Sequence, residues 1–402
     1  MPAISPRSAL ILIVIAQFLG TSLWFASNAV APEISILLNN PGILASITSS
    51  VQFGFIVGTL VFAFFSIPDR FSPRDVFFFS AVLAAIFNLM IPVLPMKLGI
   101  VLVCRFMVGF FLAGIYPVGM KIASDYYQKG LGTALGFLVG ATVLGTAFPH
   151  LIKGLDLNLS WKIIFWSTSL LAIIGGSIIG FFVPDGPHHK PNPKFDLELL
   201  PKLYKITELK SIAAGYFGHM WELYTFWAFV PMLIAYLAKG QNSDSVNSLL
   251  SFSIIAIGSV SCGLGGLIAA KRGSKSVAQS ALIGSGICCI LIPIVVWLEL
   301  PSWAWISFLG IWGFLVTADS PQFSTMVAQS VPAEYKGTAM TIVNSLGFTL
   351  TILSIQLGQL LLKWIQVDEM LALLSLGSFL GLIVFKIFDK KREASSPSLP
   401  AK

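Results

Sequence analysis

The chain has 402 residues, a net charge of +7, 56% hydrophobic residues and only 11% charged ones. Soluble domains carry roughly 25% charged residues, so this composition excludes a water-soluble fold. A basic surface for nucleic acid is excluded too, because the basic residues are spread over every turn on one side of the chain's apolar stretches.

A bilayer core needs about 20 consecutive apolar residues per helix, and stretches of that length run nearly end to end. They predict twelve transmembrane helices, at residues 9–31, 44–66, 75–95, 98–122, 131–152, 161–183, 211–237, 247–269, 277–298, 302–328, 338–361 and 367–387. The first is too long for a signal-peptide core and no small-residue cleavage site follows it, so it reads as a retained helix. With an even number of spans both termini share one side. The other side holds only Lys97, Lys153, Lys162, Lys239 and Lys363, and Arg105 falls inside a span. The positive-inside rule therefore places both termini in the cytoplasm, and the chain is expected in a cell (inner) membrane.

In chain order, the first span supplies Gln17, Thr21, Ser22, Trp24, Phe25 and Asn28 to an otherwise apolar stretch. The turn after the second span reads Ser66-Ile67-Pro68-Asp69-Arg70-Phe71-Ser72-Pro73-Arg74. Arg105-Phe106-Met107-Val108-Gly109 lies inside the fourth span, where an arginine costs about 2.5–3.5 kcal/mol on insertion scales unless it snorkels, pairs or faces a wet cavity. The fifth span spaces Gly132, Gly136, Gly140 and Gly145 for close helix packing, then carries Pro149 and His150.

After the sixth span Pro184, Asp185, Gly186, Pro187, Pro191 and Pro193 end the helix. This sets the domain reading: a six-helix bundle over 1–183, a cytoplasmic linker over 184–210, a second bundle over 211–390 and a tail over 391–402. Phe195, Leu199, Leu200, Leu203, Ile206 and Leu209 among Lys and Glu suggest either a helix over 195–209 lying on the membrane surface or a solvated linker.

The seventh span carries Tyr216, His219, Glu222 and Tyr224. His219 and Glu222, three residues apart, share a face and are within mutual reach. A mid-membrane acid tolerates burial when protonated, so Glu222 is the leading proton-coupling candidate, tuned by His219; hydrogen bonding for packing is the bland alternative. The tenth span contains Asp319-Ser320-Pro321-Gln322, where proline must bend the helix, as tolerated at a cavity or inside protein. Asp319 and Gln322 are second-rank candidates. The eleventh adds Asn344, Thr349 and Gln356. Cys104, Cys262, Cys288 and Cys289 all sit in apolar stretches and read as small packing residues.

Two echoes lie half a chain apart. Lys271-Arg272-Gly273-Ser274-Lys275 answers the turn at Ser72, and Glu334-Tyr335-Lys336-Gly337 answers Tyr127-Gln128-Lys129-Gly130. Duplication of a six-helix unit is the economical explanation.

Helix count, central linker and repeated turns resemble the major facilitator superfamily along essentially the full chain. The family's D-R-x-G-R-R turn is matched by Asp69, Arg70 and Arg74, and its R-x-x-x-G pattern by Arg105 and Gly109. The resemblance implies that the turn helps latch a cytoplasmic gate and that Arg105 couples protons or holds an anion. It also implies a cavity lined by helices 1, 4, 7 and 10 with contributions from 5, 8 and 11, which adds Trp24, Asn28 and Asn344 as contacts. In the second turn Ala270 replaces the acid, so any latch is expected to be asymmetric.

The expected function is secondary transport by alternating access of a monomer, without cofactor or metal and not as an enzyme. Proton symport of a small organic anion is favoured because of Arg105. The acids instead allow proton-coupled export of cationic or drug-like compounds, and a non-transporting sensor shares the fold. No phosphate-binding G-x-x-x-x-G-K-[ST] is present, which argues against an ATP-driven pump.

Overall fold

The computed structural model describes residues 4–127, 130–155, 160–188 and 195–395, excepting the side chains at 333 and 392–395. Gln128, Lys129, Pro191, Pro193 and the end of the tail, 396–402, lie outside the described residues, which contain helices and no strand.

Twelve spans follow one another. The uninterrupted ones are the second, Ile43–Phe64, third, Pro73–Val93, fifth, Leu131–Gly154, sixth, Lys162–Phe182, seventh, Thr207–Leu237, eighth, Asp244–Arg272, ninth, Ser274–Trp297, and eleventh, Lys336–Leu361. The fourth, Leu98–Leu112 then Tyr116–Tyr126, and the twelfth, Val367–Ala372 then Ser375–Ser395, bend but remain long and apolar enough to cross. Among the described residues ten spans meet that standard, these two included. The first and tenth fall short because each is broken within the membrane, and broken helices persist there only when protein covers the freed backbone.

The first span differs from the expected 9–31. Its helix, Pro6–Thr21, stops early, and the chain turns through Ser22–Phe25 before resuming as Ala26–Ala29 and Ala31–Leu38. Thr21 and Ser22 hydroxyls donate back to the carbonyls of Gln17 and Leu19, both at 2.7 Å, a local alternative to helix continuation that Ser and Thr are suited to provide. The tenth breaks where expected, between Ser302–Ala318 and Ser320–Gln329, because Pro321 cannot continue the ladder. The bend in the fourth, just before Tyr116-Pro117, stands half a chain earlier and repeats this device.

The linker helix is shorter than 195–209. A 3-10 turn at Leu197–Leu199 leads into Leu200–Lys205, and the seventh span already begins at Thr207. Leu199 and Leu203 are buried while Leu197, Leu200 and Tyr204 are exposed.

Two close packings join the first six spans to the last six: the fifth on the eighth, and the second on the eleventh. Gly140 is required for the former, since a Cβ there would lie 2.8 Å from the Ser259 carbonyl oxygen. Gly136 faces the Cys262 carbonyl in the same seam, Gly145 meets Phe18 and Thr21 of the first span, and Gly132 faces open space. Within the first half, Gly54 and Gly109 let the second and fourth spans touch backbone to backbone; a Cβ on either would sit 1.9 Å from a carbonyl oxygen of the other.

Candidate functional site: an aromatic box and two buried polar clusters

The break in the first span is held from the fourth. Arg105 is wholly buried and donates to the Leu23 carbonyl at 3.1 Å, to the Trp24 carbonyl, and to Asn88 Oδ1 at 3.4 Å. At the turn the Leu23 carbonyl keeps only a 3.4 Å bond from Ala26 N, and a guanidinium fork suits two adjacent acceptors. Among the described residues no carboxylate pairs with Arg105. Asn88, on the third span, donates onward to Thr168 Oγ1 at 3.1 Å, Ser169 Oγ at 2.9 Å and the Phe165 carbonyl at 3.2 Å. Arg105 therefore reaches backbone and amide instead of an open cavity. Asn88 gave no signal in sequence beyond being a polar residue in an apolar span.

The turn fixed by Arg105 presents Trp24 to the middle of the molecule. Its ring lies 5.8 Å from Tyr224 and 5.9 Å from Phe348, each tilted by 24°, and 5.0 Å from Phe55 and 6.4 Å from Tyr116. Phe25 and Trp227 extend the cluster through Tyr224. The first half gives Trp24, Phe25, Phe55 and Tyr116; the second gives Tyr224, Trp227 and Phe348. Asn344 stands one helical turn before Phe348 on the eleventh span and is half-buried. The indole Nε1 atoms of Trp24 and Trp227 are both buried without a hydrogen-bond partner. A buried unsatisfied donor costs about 1–3 kcal/mol. Of these aromatics, sequence reasoning singled out Trp24, Phe25 and Tyr224. Phe55, Tyr116, Trp227 and Phe348 have no local pattern that separates them from lipid-facing aromatics.

Below the box, His219 Nδ1 lies 2.8 Å from Asp319 Oδ1, with both side chains almost completely buried. The break of the tenth span puts Asp319 at the junction of its two half-helices, facing the seventh. Tyr216 and Phe323 flank the imidazole, each with its ring centroid 6.1 Å away. Gln322 is buried on the second half-helix, beside Gly265 of the eighth span.

Glu222, expected to be tuned by His219, meets other groups at its carboxyl oxygens. Three residues along a helix bring two side chains to neighbouring positions, yet here each turns to a different partner. Glu222 accepts from Trp312 Nε1 at 2.8 Å, from Ser285 Oγ at 3.0 Å and from Ser378 Oγ. It thus ties the seventh span to the ninth, tenth and twelfth.

On the side of the termini, Asp69 pairs with Lys121 of the fourth span, and Arg74 Nε lies 3.2 Å from Asp75. Arg70 is exposed. The Asp69 pair stays within the first half, and with Thr59, Phe195, Gly337 and Thr341 it lines a cleft of about 170 Å³ between the halves. Ser72 Oγ donates to Asp185 Oδ1 at 2.6 Å, tying the turn after the second span to the end of the sixth. Its counterpart half a chain later is the ion pair of Lys275 with Asp389. On the opposite side, Asn28 and His150 line a vestibule of about 370 Å³. Among the described residues, no cluster of three or more His, Cys, Asp or Glu could hold a metal ion.

Comparison with known proteins places these features. The chain resembles the MFS-type transporter acdC of Aspergillus candidus, 28% identical over 171 residues, covering 42% of this chain and 32% of the relative. It also resembles the ascochitine biosynthesis cluster MFS transporter of Didymella fabae, 29% identical over 136 residues, 33% of this chain and 26% of that one. The chain thus matches only a third or less of the length of these curated relatives. The family description Major Facilitator Superfamily, by contrast, is matched over residues 13–355, from the first span into the eleventh. The protein belongs to the major facilitator superfamily of membrane transporters.

Proposed function

We propose that the protein is a proton-coupled secondary carrier that moves an uncharged or weakly acidic aromatic solute by alternating access, with the solute seated in the box around Trp24. The observation that carries this reading is the box itself: seven aromatic side chains from both halves, with two indole donors free to meet an acceptor oxygen. Aromatic rings prefer offset-stacked or edge-on neighbours, worth about 0.5–1.5 kcal/mol per pair beyond area burial, so a flat ring is the cargo such walls favour. A small inorganic or aliphatic anion is disfavoured because Arg105 has its NH1 and NH2 groups on Leu23, Trp24 and Asn88. A relative whose printed name places it in a biosynthesis cluster supports an organic cargo as well.

His219 and Asp319 are the proposed proton carriers. As a pair they are neutral overall when they hold one shared proton. Adding or removing a proton leaves net charge inside the protein, which costs about 2.5–3.5 kcal/mol at span centre on insertion scales. A rocking motion that admits water to the pair relieves that cost, so proton occupancy and conformation are linked. The distribution of Lys and Arg supports cytoplasmic termini, and one chain carrying a whole path supports a monomer as the working unit.

The test is purified protein in liposomes holding a pH-sensitive dye, challenged with aromatic acids and phenols, aliphatic carboxylates and cationic dyes. Aromatic solutes should move protons with them, and Trp24→Ala and Asp319→Asn should abolish the signal. A response to aliphatic carboxylates with none to aromatics would overturn the reading.

A further inference from the structure

The vestibule on the side opposite the termini lies between the first, second, fifth, seventh and eighth spans. Most of its polar side chains are already engaged. Ser35 donates to the Asn40 carbonyl at 3.0 Å, Ser251 to the Asn247 carbonyl at 2.7 Å, and Asn247 Oδ1 accepts from Asn242 at 3.1 Å. Lys153 lies 2.9 Å from Glu33. Asp244 stands exposed in the first turn of the eighth span, where the helix N-terminus compensates a negative charge.

Two lining groups have capacity left. Asn28 is 6% exposed and His150 2% exposed, and both Asn28 Oδ1 and His150 Nε2 are buried without a partner. The orientation of the Asn28 amide is fixed by its neighbours. Thr48 gives its hydroxyl hydrogen to the Leu44 carbonyl at 2.7 Å, so it must accept from Asn28, which makes the 2.7 Å atom Nδ2 and the free atom the oxygen. An acceptor that lacks a donor, lining the same vestibule as an imidazole nitrogen, with Lys153 paired to Glu33 and Asp244 set at a helix N-terminus, fits a hydroxyl group better than an anion or an isolated cation.

We propose that this vestibule is a second ligand site, separate from the aromatic box, which binds the hydroxyl group of an uncharged organic solute through Asn28 and His150. Its role as a waiting position on the transport path rests on the carrier reading above; the binding does not. Asn28 sits four residues after Trp24, so the same turn that presents the box ends at the vestibule. A solute handed between the two sites would carry an aromatic body and a hydroxyl.

The experiment uses the full chain carrying Ser35→Cys at the vestibule wall, labelled with a membrane-impermeant maleimide; the four native cysteines are all buried. Protection is titrated with phenol and with anisole, which lacks the donor. Phenol should protect at about tenfold lower concentration than anisole, the worth of one or two hydrogen bonds. Asn28→Ala and His150→Phe should each remove the difference, and Trp24→Ala should keep it. Equal protection by phenol and anisole, no protection by either, or an unchanged difference in both vestibule variants would overturn the proposal. A variant that fails to fold is recognised by faster labelling without ligand, and the other then decides. Labelling needs no gradient, so retained protection with no solute flux would sink the carrier reading alone.

Discussion

Removing one partner of the His219–Asp319 pair should cost more than removing both. Asp319→Leu leaves His219 with both ring nitrogens buried and unpaired, a loss of about 1–3 kcal/mol. His219→Leu strands a carboxylate that is wholly buried at the helix break, and breaking a buried ion pair from one side costs about 3–5 kcal/mol. The double variant leaves neither group, and replacing a buried pair by apolar residues is often neutral. Unfolding in mixed detergent micelles should therefore show a near-neutral double variant, less destabilised than the sum of the singles by about 4–8 kcal/mol. In liposomes both single variants should lose the dependence of uptake on an imposed proton gradient. Stability effects that add to within about 0.5 kcal/mol, or single variants whose gradient dependence survives, would refute the pairing as a working unit.

Glu222→Gln should leave gradient-driven uptake intact, because Glu222 is occupied by Trp312, Ser285 and Ser378; Glu222→Leu strands those three donors and should lower the melting temperature, and loss of proton coupling in the Gln variant would restore Glu222 as the carrier. Gly109→Leu forces apart two helices in backbone contact and should destabilise by at least the 1–3 kcal/mol typical of overpacking, read as a lower melting temperature in detergent. Outside the membrane, the Lys239 ammonium 2.6 Å from Glu299 holds that carboxyl below its ordinary range. A depressed folded value contributes stability only above the unfolded one, fading as pH falls through the folded value. Both groups are exposed, so Lys239→Ala should raise the Glu299 titration point without moving the melting temperature.

Span count and the break in the tenth span were legible in sequence because both follow from one-dimensional signals: apolar length and a proline. The break in the first span was not, since its cause is three-dimensional. Nothing in Thr21-Ser22-Leu23-Trp24 forbids a helix; it is Arg105, more than eighty residues onward by chain number, that rewards the open carbonyls. Helical spacing likewise placed His219 and Glu222 on one face but could not say that one meets Asp319 and the other Trp312. The box was half legible. Trp24 stood out beside polar residues, whereas Phe55 and Phe348 read like any of the 32 phenylalanines until spans from both halves brought them together.

The hold of Arg105 on the first span also bears on how the protein is made. When the ribosome has delivered only the first hydrophobic stretch, the Leu23 and Trp24 carbonyls still lack the side chain that will bind them, because Arg105 has yet to be translated. The newborn segment would then do best as an unbroken helix. Its kink would set only once the fourth stretch arrives, making shape at the heart of the first half an assembly event that follows insertion.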